Sequence, residues 1–573
     1  MLSLKLVFGL LVGANILALL STGVSIYYRD PSQTISASTE PSIPQFDEPS
    51  TAYYILKQLD IFQNVPGNGG GAKYGEPIYG LINDDLYCEK YRALVVENPE
   101  FIFTQKNFIT NYGPSTLVRS LAIKRVGNDL QPQVGAHMTK KQQSQPSYDL
   151  RPNATIFFTL GGIHGEKSIG KNFACTSQVY NQILGHSSIN RKDNIAKAVV
   201  EYSHRYADRP QCFNFDKFFP ETWVLTNQTQ CTEFFKKFNS PQYKKEKEEK
   251  TIVYIRKLGS GSHQAKGVQP VNDEEEEQLR KMYKNGELCG KTKDNYVIQT
   301  YVYNPLLLNG HKFDFRVYMV VASTNPTILY YHDGFLRVSL HPYDVKSNDK
   351  SVLLTNTALS NKIFDIAREQ GHYQGLNETE LRNFQMWNLE RLQDYLLQHK
   401  KITDSNWLDN YLRPEFKKAM IHLIRMVSGP FVKLSQLYEL YGTDFMLDDN
   451  LNLWFIECNS GPVLSGSSEE KEKFVTKMLA DQFEIVSGLL KSRMKRIINY
   501  VNKITHEGKA RKLPSNEVYI VDLEQRQKEF QEIIKNRFEP EYEPSKGNGF
   551  SKIIDENYSG VEKYAGLISA ECM

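Results

Sequence analysis

Thirteen positions separate Asp444 from Glu457, and the stretch around them reads GTDFMLDDNLNLWFIECNSGP. The pattern predicts a β-hairpin: strand from Thr443 to Leu447, turn at Asp448, Asp449 and Asn450, return strand from Leu451 to Asn459. Glu457 and Asn459 lie two apart, so both leave the same face of the return strand. Closing the hairpin brings Asp444 towards them, and two carboxylates then converge with one amide oxygen. Hard oxygen donors of this kind suit Mg²⁺, which binds through one or two carboxylates plus the phosphates of its substrate. An ordinary hairpin with a polar face carries the same letters, so the pattern gains weight only from its surroundings.

Upstream lie basic groups suited to phosphate. Thr251 to Leu258 (TIVYIRKL) reads as a strand with Lys257 near its end, followed by GSGSHQAKGV, a loop of small residues that contains Lys266. A strand-end lysine beside such a loop can hold phosphates by charge while backbone N–H groups cover them; a surface hairpin is the plain alternative. Val297 to Val302 reads as an apolar strand whose backbone edge could hydrogen-bond an adenine, with Gln299 and Tyr301 nearby. In the next strand Lys312, Asp314 and Arg316 share one face, and Phe313, Phe315 and Val317 the other. That strand continues into MVVAS, apolar on both faces and therefore central, where charges need partners. DGFLRVSLHPYD puts Arg337 on a strand after a tight Asp333-Gly334 turn. SVLLTNTALSNK puts Thr355, Asn356 and Thr357 in a polar patch behind an apolar strand. Both pieces also read as strand-end capping.

The elements that must hold these groups are those of an α/β (α+β) protein. The chain has 573 residues, 24% charged and 40% hydrophobic, enough for several domains with full cores. A net charge of +3 gives no argument for nucleic acid. The seven cysteines are scattered without a CxxC pair, which speaks against zinc or redox motifs; their odd number and wide spacing imply reduced thiols. Leu6 to Tyr28 is a run of 23 residues without a charge, preceded by Lys5. It reads as a membrane signal-anchor, with a signal peptide cleaved after Ser21-Thr22-Gly23 as the alternative. Charge before the run, against the balanced Arg29 and Asp30 after it, directs the bulk of the chain to a lumen or the outside. Four sequons, at Asn153, Asn227, Asn377 and Asn557, are compatible with that side. Pro31 to Ser50 reads as a flexible linker. Tyr53 to about Leu150 is a mixed region broken by the loop PGNGGG, which lacks the phosphate-loop pattern. Thr155 to Leu160 predicts a buried strand. Arg191 to Tyr206 predicts a helix with Ile195, Val199 and Tyr202 on one side. Lys244 to Lys250 and Asp273 to Glu277 read as solvated loops. From there to Ser468 strands dominate, with a helical insert from about Glu378 to His399. Phe474 to Val501 predicts a helix, and there are no internal repeats.

Taken in order, RKDNIAKAV, FFPETWVL, the Lys257 strand and its loop, QTYVYNPLLLNGHKFDFRVY, DGFLRVS, LTN and YGTDFMLDDN…FIECNSGP resemble the tubulin–tyrosine ligase-like enzymes, which have an ATP-grasp fold. The resemblance runs from about Gly185 to Pro462. It implies ATP and Mg²⁺ as cofactors, with Lys257 and Lys312 on the phosphates and Gln299, Thr300, Tyr301 and Val302 along the adenine. Asp314 would contact the nucleotide, with Thr355 and Asn356 near the phosphates and Asp444, Glu457 and Asn459 on Mg²⁺. Arg337 would grip the carboxylate of a free amino acid with Thr357 beside it; Gln264 and Ala265 would face the acceptor peptide. Lys257, Lys312, Arg316, Arg337 and Glu457 form the implied catalytic set. Two departures, Ala265 where the family usually has Gly and Leu353 where many members have His, bear on acceptor choice.

The implied activity is ATP-dependent ligation of an amino acid to a protein carboxylate through an acyl phosphate. The implied acceptor is the acidic tail of tubulin, glutamylated or glycylated rather than tyrosinated. Lys491 to Lys512, with eight basic residues against Glu507, could attract such a tail or simply be a solvated helix face. The apolar leader favours a membrane-associated location; the family favours cytoplasm, cytoskeleton or cilium. A lumenal or membrane-anchored ligase acting on another protein and an inactive microtubule-binding homologue are the rival readings. The expected organisation is a leader in 1–30, a linker in 31–50, an N-terminal region in 51–150, the ATP-grasp domain in 151–500 and a tail in 501–573.

Overall fold

The computed structural model describes residues 179–573, with breaks at 182, 184, 214–217, 250–251, 260–266, 291–294, 348, 356–383, 434, 465–468, 516 and 535–541; before them it describes only 55–56, 58–59, 107–111, 129–130 and 156–159. The apolar run Leu6 to Tyr28, the linker and the PGNGGG loop lie outside the described residues. Among the described residues no helix is long and apolar enough to cross a membrane.

Four short strands come first: β1 (Asn107–Asn111), β2 (Asp129–Leu130), β3 (Ile156–Thr159) and β4 (Val179–Asn181), all paired in parallel. Helix α1 (Lys192–Arg205) follows, with Ile195, Val199 and Tyr202 buried as its spacing predicts. A separate four-stranded antiparallel sheet comes next, in the order β5 (Thr222–Val224), β8 (Tyr296–Thr300), β6 (Tyr254–Leu258), β7 (Val268–Pro270). Three helices accompany it: α2 (Gln228–Phe238), α3 (Pro241–Glu249) and α4 (Asp273–Lys284). Helix α2 starts where the Asn227 side chain accepts the N–H of Gln230, and buries Cys231, Phe234, Phe235 and Phe238 on one stripe. The two charge runs expected to be loops are α3 and the start of α4. In α4, Asn272 caps the N–H of Glu275 and four acids occupy the first turn, where the helix dipole favours them.

The main sheet is built on β10 (His311–Thr324), flanked by β11 (Thr327–Pro342) and β13 (Leu437–Leu447). Short β9 (Leu307–Leu308) pairs with the start of β10, and β12 (Met386–Trp387) with β11. Strand β13 changes its second neighbour along its length: Leu437 and Tyr438 pair with β4, Tyr441 to Leu447 with β14 (Leu453–Ser460). On one face, Phe313, Phe315, Val317, Met319 and Val321 pack against helix α6 (Arg413–Val427) through Phe416, Met420, Leu423 and Ile424. Burying each of these side chains contributes about 1.5–3 kcal/mol. The other face is divided. Tyr318, Val320 and Ala322 pack under the long helix α7 (Glu469–His506), whereas Lys312, Asp314 and Arg316 of the same strand face lie beyond it. The predicted helical insert is α5 (Leu389–Gln398); α6 was expected as strand.

Asp333-Gly334 is not a chain reversal. Strand β11 runs straight through it, and the turn between β10 and β11 is at Asn325-Pro326. Asp333 and Gly334 are a bulge: His332 pairs with Tyr318 and Phe335 with Arg316, so two residues oppose Val317. Gly334 has φ +77°, and a Cβ there would sit 1.9 Å from the carbonyl oxygen of Arg316.

Beyond α7, β15 (Ala510–Lys512) and β16 (Val518–Ile520) form a hairpin, α8 (Leu523–Ile534) packs on α7, and β17 (Ser551–Asp555) adds to the edge of β11. The expectation of reduced thiols fails. Cys212 is bonded to Cys572 and Cys231 to Cys289, with Cα atoms 5.1 and 5.2 Å apart, and Cys458 is free and buried. The pairings were hidden because partners 360 and 58 residues apart carry no local signal.

Candidate active site

The predicted hairpin is present, and its register decides the site. Arg316, Asp444 and Glu457 are direct partners across β10, β13 and β14, and Gly442 opposes Asn459. Opposed residues share a face, so all these groups point the same way. The turn is tied by buried Asp448, whose carboxylate accepts the N–H groups of Asn450 and Asn452 and the indole N–H of Trp454. Gly442 lets Arg316 lie flat across β13: a Cβ there would come 3.0 Å from its Cδ.

The arginines are locked by carboxylates. Arg316 donates from Nε and Nη2 to Asp444 at 2.5 and 3.0 Å. Arg337 donates to both oxygens of Asp314 at 2.6 and 2.7 Å and to Asp444 at 2.9 Å. Thr355 completes the cluster by donating to Asp314 at 2.6 Å. Burial raises the pKa of Asp314, opposed by Arg337. For Arg337, burial works against charge, but the two aspartates outweigh it and hold the guanidinium charged.

The lysines have different company. Lys257, on β6, is 7% exposed and donates to the amide oxygen of Gln299 at 2.5 Å. Lys312 is 1% exposed and donates to the Tyr301 hydroxyl and the Leu353 carbonyl at 2.9 and 2.8 Å. Among the described residues neither has a carboxylate within ion-pair distance. Burial pushes Lys257 down to about 8 and Lys312 down to about 7. A small cleft is lined by Asn190, Lys192, Thr222, Lys257, Gln299 and Glu457.

Sequence reasoning missed Lys192. It opens α1 inside the quoted RKDNIAKAV motif, and its Nζ lies 3.1 Å from Glu457. Burial would raise the pKa of Glu457, but Lys192, the Asn459 amide and Lys257 together hold its carboxyl well below the usual range. Asn459 donates its amide N–H to Glu457 at 3.1 Å, leaving its carbonyl oxygen as a donor atom for a cation. Among the described residues no three of His, Cys, Asp and Glu cluster as a metal site. The fit to a hard divalent cation therefore rests on Asp444, Glu457 and the Asn459 oxygen, a set Mg²⁺ accepts.

Other expectations need revision. Strand β8 is central in the small sheet, so both its edges are occupied by β5 and β6. The N–H of Thr300 is given to the carbonyl of Glu221 and that of Tyr301 to the carbonyl of Val253, so neither N–H is open to a base. Thr355 follows a short helix, Lys350–Leu353, not a strand. Gln264, Ala265, Lys266, Asn356 and Thr357 lie outside the described residues. The basic segment expected to hold an acidic tail is far from the site. Arg493 is fully buried and bonds the carbonyl of Ser435 at 3.0 Å. Ser435 lies in the turn before β13, and the strand from Leu437 to Asp444 runs seven steps, about 23 Å at strand rise.

Against known proteins, residues 171–497 match the model of the tubulin-tyrosine ligase family. A protein polyglycylase, TTLL10 of Macaca fascicularis, is 26% identical over 291 residues, 48% of this chain and 43% of its own. The human tubulin monoglycylase TTLL3 is 28% identical over 235 residues, 41% of this chain and 28% of its own. A probable tubulin polyglutamylase, TTLL9 of Bos taurus, is 31% identical over 208 residues, 36% of this chain and 41% of its own. The chain thus spans about two-fifths of the TTLL10 relatives it matches. With more than half of its residues matched, the chain belongs to the tubulin-tyrosine ligase family.

Proposed function

We propose that this chain is an ATP-dependent carboxylate–amine ligase that adds an amino acid to an acidic protein segment. The observation that carries this reading is the pair of buried lysines without a counter-ion beside the oxygen-donor row. Lys192, Lys257, Lys312, Arg316 and Arg337 stand against Asp314, Asp444 and Glu457, five cations to three carboxylates, which favours a polyanion. Lys257 and Lys312 would hold the phosphates. Asp444, Glu457 and Asn459 would hold Mg²⁺, which when bound neutralises phosphate charge and fixes the phosphates for in-line attack. A carboxylate oxygen of the acceptor attacks the terminal phosphorus, and the bond to the bridging oxygen breaks. The amine then attacks the acyl carbon of the acyl phosphate and expels phosphate. Lys257, Lys312 and Arg316 offset the charge gathered at the transferring group. Arg337 would take the carboxylate of the incoming amino acid, trading part of its hold on Asp314 and Asp444.

Tubulin tails are the first acceptor to test, because relatives carry tubulin in their names; others are named only as protein polyglycylases. Glycine and glutamate come before tyrosine for the same reason. One relative, in Homo sapiens, is named an inactive polyglycylase. The intact Asp444–Glu457–Asn459 set favours an active enzyme here. The test is mass spectrometry of acceptor peptides after incubation with ATP, Mg²⁺ and each amino acid, with Glu457→Gln as control. We expect Glu457→Gln to abolish turnover while circular dichroism and melting stay close to those of the parent. Undiminished turnover in that variant removes the metal assignment, and no incorporation by the parent removes the ligase.

A further inference from the structure

The reaction proposed above uses no sulfur, yet four cysteines are paired at positions the fold holds firmly. Cys231 sits on the buried stripe of α2, and its partner Cys289 is held at φ +64°, a conformation side chains other than glycine seldom adopt. Cys572 lies beside α1 and α6. Its carbonyl accepts from Tyr206 at 3.4 Å and Arg425 at 2.9 Å, and Cys212 is bonded to it from 360 residues away. All four are buried, at 0–7% exposure, and the Cα separations lie in the range disulfides require. Both pairs are one-to-one, and no described His, Cys, Asp or Glu cluster offers a metal to explain them. Bonds of this kind form and persist in oxidising compartments and are rare in the reducing cytosol.

A separate observation points the same way. Asn227 begins the sequon Asn227-Gln228-Thr229 and is exposed at the start of α2, four residues from Cys231. Its side-chain oxygen is turned back to the N–H of Gln230, while its amide nitrogen, the atom a glycan takes, has no hydrogen-bond partner among the described residues.

We propose that this chain folds and works in an oxidising lumen, and that its acceptor is an acidic segment of a lumenal or secreted polypeptide. The choice of acceptor rests on the ligase reading; the compartment does not. The nucleoside triphosphate is then that of the lumen.

The test uses the full chain in its own cells. N-ethylmaleimide is added before lysis, and peptides are mapped without reductant. We expect peptides linked through Cys212–Cys572 and Cys231–Cys289, with Cys458 labelled only after denaturation. Maleimide on the four paired cysteines overturns the proposal. A glycan removed by peptide N-glycosidase, and lost in Asn227→Gln, supports it. The purified chain is then given ATP, Mg²⁺, labelled glycine or glutamate, and either microsomal lumenal proteins or tubulin. At least tenfold more label on lumenal proteins is expected. The reverse ratio overturns the acceptor, and no label on either, with both disulfides in place, defeats the ligase reading and leaves the compartment standing.

Discussion

The two lysines of the site are buried and its two arginines half-buried, and the two pairs are satisfied in opposite ways. Arg316 and Arg337 share Asp314 and Asp444 in a closed network, each guanidinium making two or more bonds to carboxylate. Lys257 and Lys312 touch only an amide, a hydroxyl and a carbonyl. A charge with its counter-ion in the fold is held in place until a ligand competes for it; one without waits for an anion from outside. The lesson is that the same sign of charge in one cleft does two jobs, and only the unpaired set advertises the ligand.

The contrast can be broken by substitution. Arg337→Met should cost the nucleotide-free protein about 3 kcal/mol or more, read from its urea midpoint, because buried Asp314 loses its counter-ion. Lys312→Met should cost little stability, since Tyr301 still donates to the Leu353 carbonyl at 2.9 Å. It should instead weaken nucleotide binding by about 2–3 kcal/mol, read by calorimetry. Equal stability losses in the two variants would erase the distinction. The smallest effect is with pH. Empty, Lys257 and Lys312 lose their protons around pH 8 and 7, whereas bound phosphates keep them charged. Nucleotide binding at pH 8 should therefore take up protons. Affinity should fall as pH rises from 7 to 8, by about tenfold, or roughly 1.4 kcal/mol. Proton release on binding would contradict the lysine assignment.

How much of this was legible follows from the range of the signal. The hairpin of Asp444 and Glu457 was readable because alternation and an Asp-Asp-Asn turn are local. So was the split of β10 into a charged and an aromatic face. Lys192 was missed because its motif reads equally well as plain helix; only the fold brings that helix start to Glu457. The α6 stripe of Phe416, Met420, Leu423 and Val427 was present in the letters but lay in a region read as strand. The helices of the charge runs were hidden by their polarity; they are surface helices held by caps and a few contacts. The central place of β8 depends on which strands flank it, which composition does not encode.

The bulge at Asp333-Gly334 has a consequence for where chemistry is possible on β11. Before it, Ile328 and Tyr330 lie under α7 while Leu329 and Tyr331 face α6; after it the parity is inverted, so Phe335 follows the first set and Leu336 the second. Arg337 therefore owes its place opposite Asp314 to a counting offset of one. Were the bulge to straighten, with Asp333 pairing with Val317 and Gly334 with Arg316, the following strand would slip by one residue and turn over. The guanidinium would then point into the aromatic layer and Leu336 into the cleft, although no site residue had been altered.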